Sequence, residues 1–292
     1  MPELRVTRIR TYPVKSLEGN DRDAATVHPW GLDGDRRWAL IDQNGQKLTA
    51  RKNQALLGLC AENSDGGGIR IHDRDGGSIT VTPPDGPPAP VTGFRQLEHA
   101  TPHHGDANDW ISERIHQPAR LIWQADPTEC AIDPERGGQP GDTVSLADAA
   151  PLHLVTEASM RRLNELVAAD APLPDPAIDP TDISGTTTPT GPLDIVRFRP
   201  NVIIDGSEPF AEDNWGTFGI GGTRYRVTGL CGRCVMTTID PVTLTGGKEP
   251  IRTLARHRRW DGLTWFGIRA TPVGLTPDAP ATIRVGDPVT VD

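Results

Sequence analysis

The chain has 292 residues, room for one large domain or two of roughly 100–150 residues each. Thirty basic against 39 acidic side chains leave a formal charge of −9, which excludes general affinity for nucleic acid or anionic lipid and leaves any bound phosphate to a local basic pocket. Gly 31 and Pro 28 mark a turn-rich globular chain, and with no apolar run near membrane-span length and no signal-peptide core after Met1, a soluble, cytoplasmic protein is expected.

Short strand-like runs dominate. Residues 6–12, 38–42, 69–71, 79–82, 120–123 and 152–155 are apolar or alternating, and 202–204, 224–227, 235–239, 283–285 and 289–291 continue the series. Between them, 31–35, 42–45, 73–77 and 219–222 supply the Gly, Asp and Asn that tight turns need. Three helices are predicted. Asp106 caps one with Trp110, Ile111 and Ile115 inward, Thr156 a second with Met160, Leu163, Leu166 and Val167, and Pro250 opens a third with Ile251, Leu254 and Ala255. There is no regular strand–helix alternation, so the chain reads as mainly β with a few helices, an α+β protein. Residues 124–143 and the proline-rich 170–192 read as long surface loops, and a boundary near Trp123 divides the chain into 1–123 and 124–292.

Four cysteines, Cys60, Cys130, Cys231 and Cys234, are too few and too unevenly spaced for a disulfide framework. Cys231-Gly232-Arg233-Cys234 admits three readings: half of a zinc site, a redox dithiol, or two buried small residues. No second ligand pair accompanies it for zinc, and 235–239 reads as a strand rather than the helix a thioredoxin-like pair requires. Arg233 favours a thiolate beside it and can bind an anion. Lys15-Ser16, Arg36-Arg37 and Arg199-Pro200-Asn201 each stand beside a predicted strand, where they suit a phosphate grip or, individually, a solvated turn or salt bridge. His103-His104 and His257 read as a solvated loop and a helix-end charge, and 219–222 lacks the Lys-Ser/Thr of a phosphate loop.

TYPVKSLEG (11–19), GLDGDRRW (31–38) and LTARKNQALL (48–57) resemble the N-terminal β-barrel region that precedes the MOSC domain. TEASMRRLN (156–164), RFRPNVIIDG (197–206), FAEDNW (210–215), GLCGRCVMTTIDP (229–241), KEPIRTLARHR (248–258) and IRVGDPV (283–289) resemble the MOSC domain itself, in order and nearly end to end. The chain is similar to the branch of this family that holds the mitochondrial amidoxime reducing component and its bacterial counterparts. That resemblance implies a MOSC β-barrel domain preceded by a smaller β-rich domain, and a molybdenum cofactor (Mo-molybdopterin) enzyme. Its substrates would be N-hydroxylated small molecules such as amidoximes, hydroxamates and hydroxylamines. The ending Val289-Thr290-Val291-Asp292 carries no four-cysteine segment, so electrons are expected from separate flavin, iron–sulfur or haem proteins.

By the same resemblance Cys234 is the catalytic residue and the one protein ligand to molybdenum, while Lys15, Ser16, Arg36, Arg199, Asn201, Gly232 and Arg233 hold the pterin and its phosphate. All are expected to converge on one pocket between the two β-rich regions. A second hypothesis, from another class, is a cofactor or sulfur carrier, with Cys234 bearing a persulfide or binding the cofactor only to hand it on, and a third is a ligand-binding β-barrel with no redox metal. Two departures stand out: Asp148-Ala149-Ala150-Pro151 where the family carries hydroxyls, and Gly232 where it often carries Ser.

Overall fold

A computed structural model describes residues 3–95, 97–170, 191–206 and 208–292. Seven strands close into a barrel: β1 (Leu4–Thr11), β2 (Leu152–Thr156), β3 (Val202–Ile204), β4 (Thr217–Ile220), β5 (Thr223–Gly232), β6 (Leu263–Pro272) and β7 (Pro288–Val291). Around the barrel the order is β2-β3-β1-β7-β4-β5-β6, and β6 pairs back onto β2. Closure leaves no long exposed edge within the ring. The first strand of the chain thus lies between β3 and β7, strands almost 200 and 280 residues away along the chain.

Alternation explains most of the barrel's interior. Leu152 and Leu154 of β2, Val202 and Ile204 of β3, Phe218 and Ile220 of β4, and Ile268 and Ala270 of β6 point into one buried cluster, and a register shift between Val6 and Arg8 brings Val6 and Ile9 of β1 to it as well. Phe218 stacks on Tyr225 across β4 and β5, with ring centroids 5.2 Å apart. The β2–β3 pair is parallel, which requires a crossover, and the first helix of that crossover, α2 (Glu157–Ala169), begins where Thr156 accepts a hydrogen bond from the Ser159 amide at 3.0 Å. Met160, Leu163 and Val167 of α2 pack with Phe198, Leu254 and Phe266 outside the barrel.

The smaller β region is built from two sheets. One contains Trp38–Ile41, Arg120–Trp123, His99–Pro102 and Ala89–Pro90; the other is the meander Cys60–Asn63, Ile69–His72 and Ser78–Val81. Helix α1 (Asp106–Arg114) lays Ala107 and Ile111 on a core that includes Trp38, Leu56, Ile69, Ile71 and Leu121. A third small sheet pairs Ala281–Arg284 with Ala24–His28, tying the two ends of the chain together.

Three local expectations change. Residues 235–239 are not a strand: Val235–Thr238 form a 3₁₀ turn, because the Thr237 and Thr238 hydroxyls donate back to the carbonyls of Cys234 (3.0 Å) and Val235 (2.7 Å) and replace ladder bonds. Gly105 rather than Asp106 occupies the N-cap of the 106–114 helix, and Asp106 sits in its first turn. The segment 124–143 carries two 3₁₀ turns, Pro127–Glu129 and Pro134–Arg136, each opened by an aspartate side chain, Asp126 and Asp133. Most of the proline-rich segment, 171–190, lies outside the described residues. Among those described, no helix is long and apolar enough to cross a membrane.

Candidate functional site

The Cys231–Cys234 segment is aimed by irregularities in β5. Its register against β6 shifts between Val227 and Gly229 and again between Leu230 and Gly232, and such bulges re-point the side chains that follow. Beyond the second shift the Arg233 amide donates to the Thr264 carbonyl at 2.8 Å. The Arg233 side chain then turns inward: Nε and Nη2 donate to the Phe266 carbonyl at 2.9 and 2.7 Å, Nη1 to the Phe198 carbonyl at 3.1 Å, and Nη2 also meets His153 Nε2. Arg233 is a strut that fixes the loop. Cys231 is left half-buried and Cys234 exposed.

His153 lies on β2 at the end of this strut. Burial first, and the Arg233 charge second, hold it well below the ordinary histidine range, so the ring is neutral near pH 7 and Nε2 accepts from Arg233. It is unsuited to act as an imidazolium acid.

The opposite wall forms around Tyr12, at the end of β1. Its amide donates to Asp35 at 2.7 Å, Asp35 pairs with Arg36, and the Arg36 amide donates to the Tyr12 carbonyl at 2.8 Å. The guanidinium carbons of Arg36 and Arg199 lie 4.6 and 4.1 Å from the Tyr12 ring centroid, a double cation–π contact. Asn201 ties three segments: Oδ1 accepts from Arg36 (3.2 Å) and from the His153 amide (3.3 Å), and Nδ2 donates to the Arg10 carbonyl (3.2 Å). Ser16, Arg36 and Arg199 have φ of 74°, 49° and 54°, three of the seven non-glycine residues in the left-handed region among those described. Each such conformation costs about 1–3 kcal/mol, and this strain is gathered at one place.

That place is a cavity of about 950 Å³ lined by Lys15, Ser16, Arg36, Arg199, Asn201, Gly232, Arg233 and Cys234. All eight residues singled out in the sequence therefore meet. Ten basic side chains line it against three carboxylates, which sets a local positive field inside an acidic protein. Most of these cations are engaged: Lys15 donates to Asp148 at 2.6 Å and to the Leu146 carbonyl at 2.5 Å, and Arg197 pairs with Asp240. Arg199 differs, since its Nη1 and Nη2 are buried with no hydrogen-bond partner. An unsatisfied buried guanidinium is costly unless something else meets it. Lys47 is likewise drawn down to about 8, by burial and then by the Lys15 charge.

The MOSC domain model matches residues 141–290, just over half the chain, and the MOSC N-terminal beta barrel domain model matches 3–118. The chain belongs to the MOSC family. Mitochondrial amidoxime-reducing component 1 of Homo sapiens is 28% identical over 303 residues, covering 97% of this chain and 82% of the relative. The protein of the same name in Mus musculus is 28% identical over 302 residues, with 97% and 81% covered. Molybdenum cofactor sulfurase of Danio rerio is 29% identical over 277 residues, which are 90% of this chain but 31% of that much longer protein.

Several cavity residues in this MOSC chain escaped the sequence reading, among them Lys47, Arg51, His153 and Arg197. Arg197 lies two residues from Arg199 and was within reach of the same RFRPN signal, whereas His153 was hidden in an otherwise apolar strand. Among the described residues no three His, Cys, Asp or Glu side chains are placed to hold a metal ion together, so this MOSC site offers no all-protein metal cage. What it offers is an exposed thiol, Cys234, with the half-buried Cys231 beside it, on a basic, partly unsatisfied cavity.

Proposed function

We propose that the chain is a molybdenum-cofactor-dependent oxidoreductase that reduces N-hydroxylated small molecules with electrons from separate redox proteins. The observation that carries the reading is the shared cavity: an exposed Cys234 at its rim and the partnerless Arg199 guanidinium in its wall. The residues fit the group. A phosphorylated pterin needs cations for its phosphate and amide or backbone donors for its ring edge, and a metal already held by sulfur suits one further soft thiolate. Cys234 would hold the metal, and Arg199, Lys15 and Lys47 would meet the anionic end. When bound, the cofactor supplies a two-electron couple able to accept the oxygen of an N–OH group.

The chain's own part is placement. Arg233 and Asn201 keep the two walls in register, the former by donating to the carbonyls of Phe198 and Phe266, the latter by bridging Arg36, His153 and Arg10. Neutral His153 accepts from Arg233 and so helps hold that guanidinium in place behind the cysteine loop. The relatives support the reductase reading through the amidoxime-reducing proteins, which share nearly the whole length of this chain.

A cofactor or sulfur carrier is the second reading, favoured by the exposure of Cys234 and by the sulfurase relatives. The two separate on purified protein from cells making the cofactor. Equal amounts of molybdenum and pterin, with turnover of benzamidoxime by a chemical reductant, support the oxidoreductase. Bound cofactor without turnover supports the carrier, and protein that never binds molybdenum sinks both cofactor readings.

A further inference from the structure

A second opening meets the first cavity at Cys234. It measures about 580 Å³ and shares Arg233, Cys234 and Leu263 with the basic cavity. Its remaining walls come from Val235 and Thr238 of the turn after Cys234, from α3 (Ile251–His257), from Gly247 and Lys248 just ahead of it, and from the hairpin over residues 259–264. Thr264 joins the hairpin to the cysteine loop: its carbonyl accepts from the Arg233 amide at 2.8 Å, and the residue itself pairs with Arg259 across the turn. Arg259 therefore stands one strand away from the loop that carries Cys234.

The walls mix two characters. Val235 and Leu263 are apolar yet 59% and 48% exposed, and Ile251 adds to the same face. Lys248, Arg252 and Arg259 are the cations. Arg252 Nε is tied to Glu249 at 2.6 Å, whereas Lys248 and Arg259 are exposed and form no ion pair among the described residues. No carboxylate among those residues lines the opening. An apolar surface under an uncompensated positive field selects a ligand with an apolar body and a negative group.

We propose that this opening is the substrate entrance, and that it selects N-hydroxylated compounds carrying an anionic group such as a carboxylate on an apolar body. The N–OH chemistry rests on the reductase reading above, while the charge preference belongs to Lys248 and Arg259. Attraction between exposed charges is screened by salt, so the preference weakens as ionic strength rises.

Two measurements test it. In the cofactor-loaded enzyme, kcat/KM is compared for 4-carboxybenzamidoxime and its 4-trimethylammonio counterpart. The anionic compound is expected to lead by about tenfold at low salt. The double variant Lys248→Glu with Arg259→Glu should invert that order, and Lys248→Gln with Arg259→Gln should bring the two compounds level. In the full chain produced without molybdate, labelling of Cys234 by an anionic and a cationic methanethiosulfonate, read by peptide mass, should show the same preference and the same response to the variants. Equal rates for both charges in the unaltered protein, or a preference untouched by the substitutions, overturns the proposal. Should no amidoxime turn over while molybdenum is bound, the reductase reading falls and the labelling ratio alone decides the charge preference.

Discussion

Lys15 Nζ lies 2.6 Å from Asp148 Oδ1 inside a cavity otherwise dominated by cations. The pair joins the end of the first-strand loop to the segment ahead of β2, across 133 residues of chain. Asp148 is also within 3.8 Å of Arg51, so one carboxylate serves two cations where a bound anion would otherwise be met. An Asp at this point competes with any phosphate for Lys15.

Replacing Asp148 by Asn is expected to strengthen binding of inorganic phosphate to the cofactor-free chain several-fold, read by calorimetry, because the competing charge is removed. Unchanged or weaker binding would show that Lys15 does not face the anion. The pH dependence follows from the direction of the shifts. The Lys15 charge holds Asp148 well below the usual carboxylate range, so the pair's stabilisation is present above about pH 4 and lost as pH falls toward the folded-state value. Asp148 is 64% exposed in its side chain, so the loss is held to about 1 kcal/mol or less, and urea unfolding of Asp148→Asn should show a correspondingly flatter acid limb. Burial lowers the Lys15 pKa while Asp148 raises it, so the same substitution lowers the lysine further.

Arg199→Met should act with opposite signs on the empty and the loaded protein. Without ligand it removes a buried guanidinium whose Nη atoms have no partner, and stability should rise by about 1 kcal/mol after the lost cation–π contact with Tyr12 is set against it. With cofactor available, pterin retained through gel filtration should drop. A loss of stability in the empty variant would mean that Arg199 is satisfied within the protein.

Cys234→Ser is expected to abolish amidoxime reduction, since a hard, mostly protonated hydroxyl replaces a soft thiolate. Cys231→Ser should keep substantial activity, its effect limited to local packing. A zinc half-site or a redox dithiol needs both sulfurs, so equal loss in the two variants, without molybdenum in either, would overturn the assignment of Cys234.

Gly267 sets a steric limit beside the strut. Its φ is +75°, and a Cβ there would stand 2.7 Å from both His153 Nε2 and the Leu154 carbonyl. Gly267→Ala should cost about 2 kcal/mol or more in urea unfolding and loosen the His153–Arg233 contact. Retention of full stability would show that β6 can shift without disturbing the site.

Much of this chemistry could be read from residue order. The thiol of Cys234 beside Arg233, the Lys15-Ser16 turn and the Arg199-Pro200-Asn201 step are local motifs, and each announces its chemical type without a fold. Thr156 as a helix cap and the alternation of β2 are local as well, being set by a few neighbouring side chains.

Tertiary structure decided which of these groups is free. Arg233 and Arg199 look alike in the sequence, yet carbonyls of Phe198 and Phe266 engage the first and leave the Nη atoms of the second unpaired. Lys15 is occupied because Asp148, more than a hundred residues away, folds against it. Val235–Thr238 turn away from the strand their β-branched residues suggest, since hydroxyl-to-carbonyl bonds and the end of the β5–β6 pairing outweigh intrinsic preference. Residue type is a local property, whereas hydrogen-bond satisfaction, burial and net field at a site are sums over groups distant in sequence, and only the closed barrel brings those groups together.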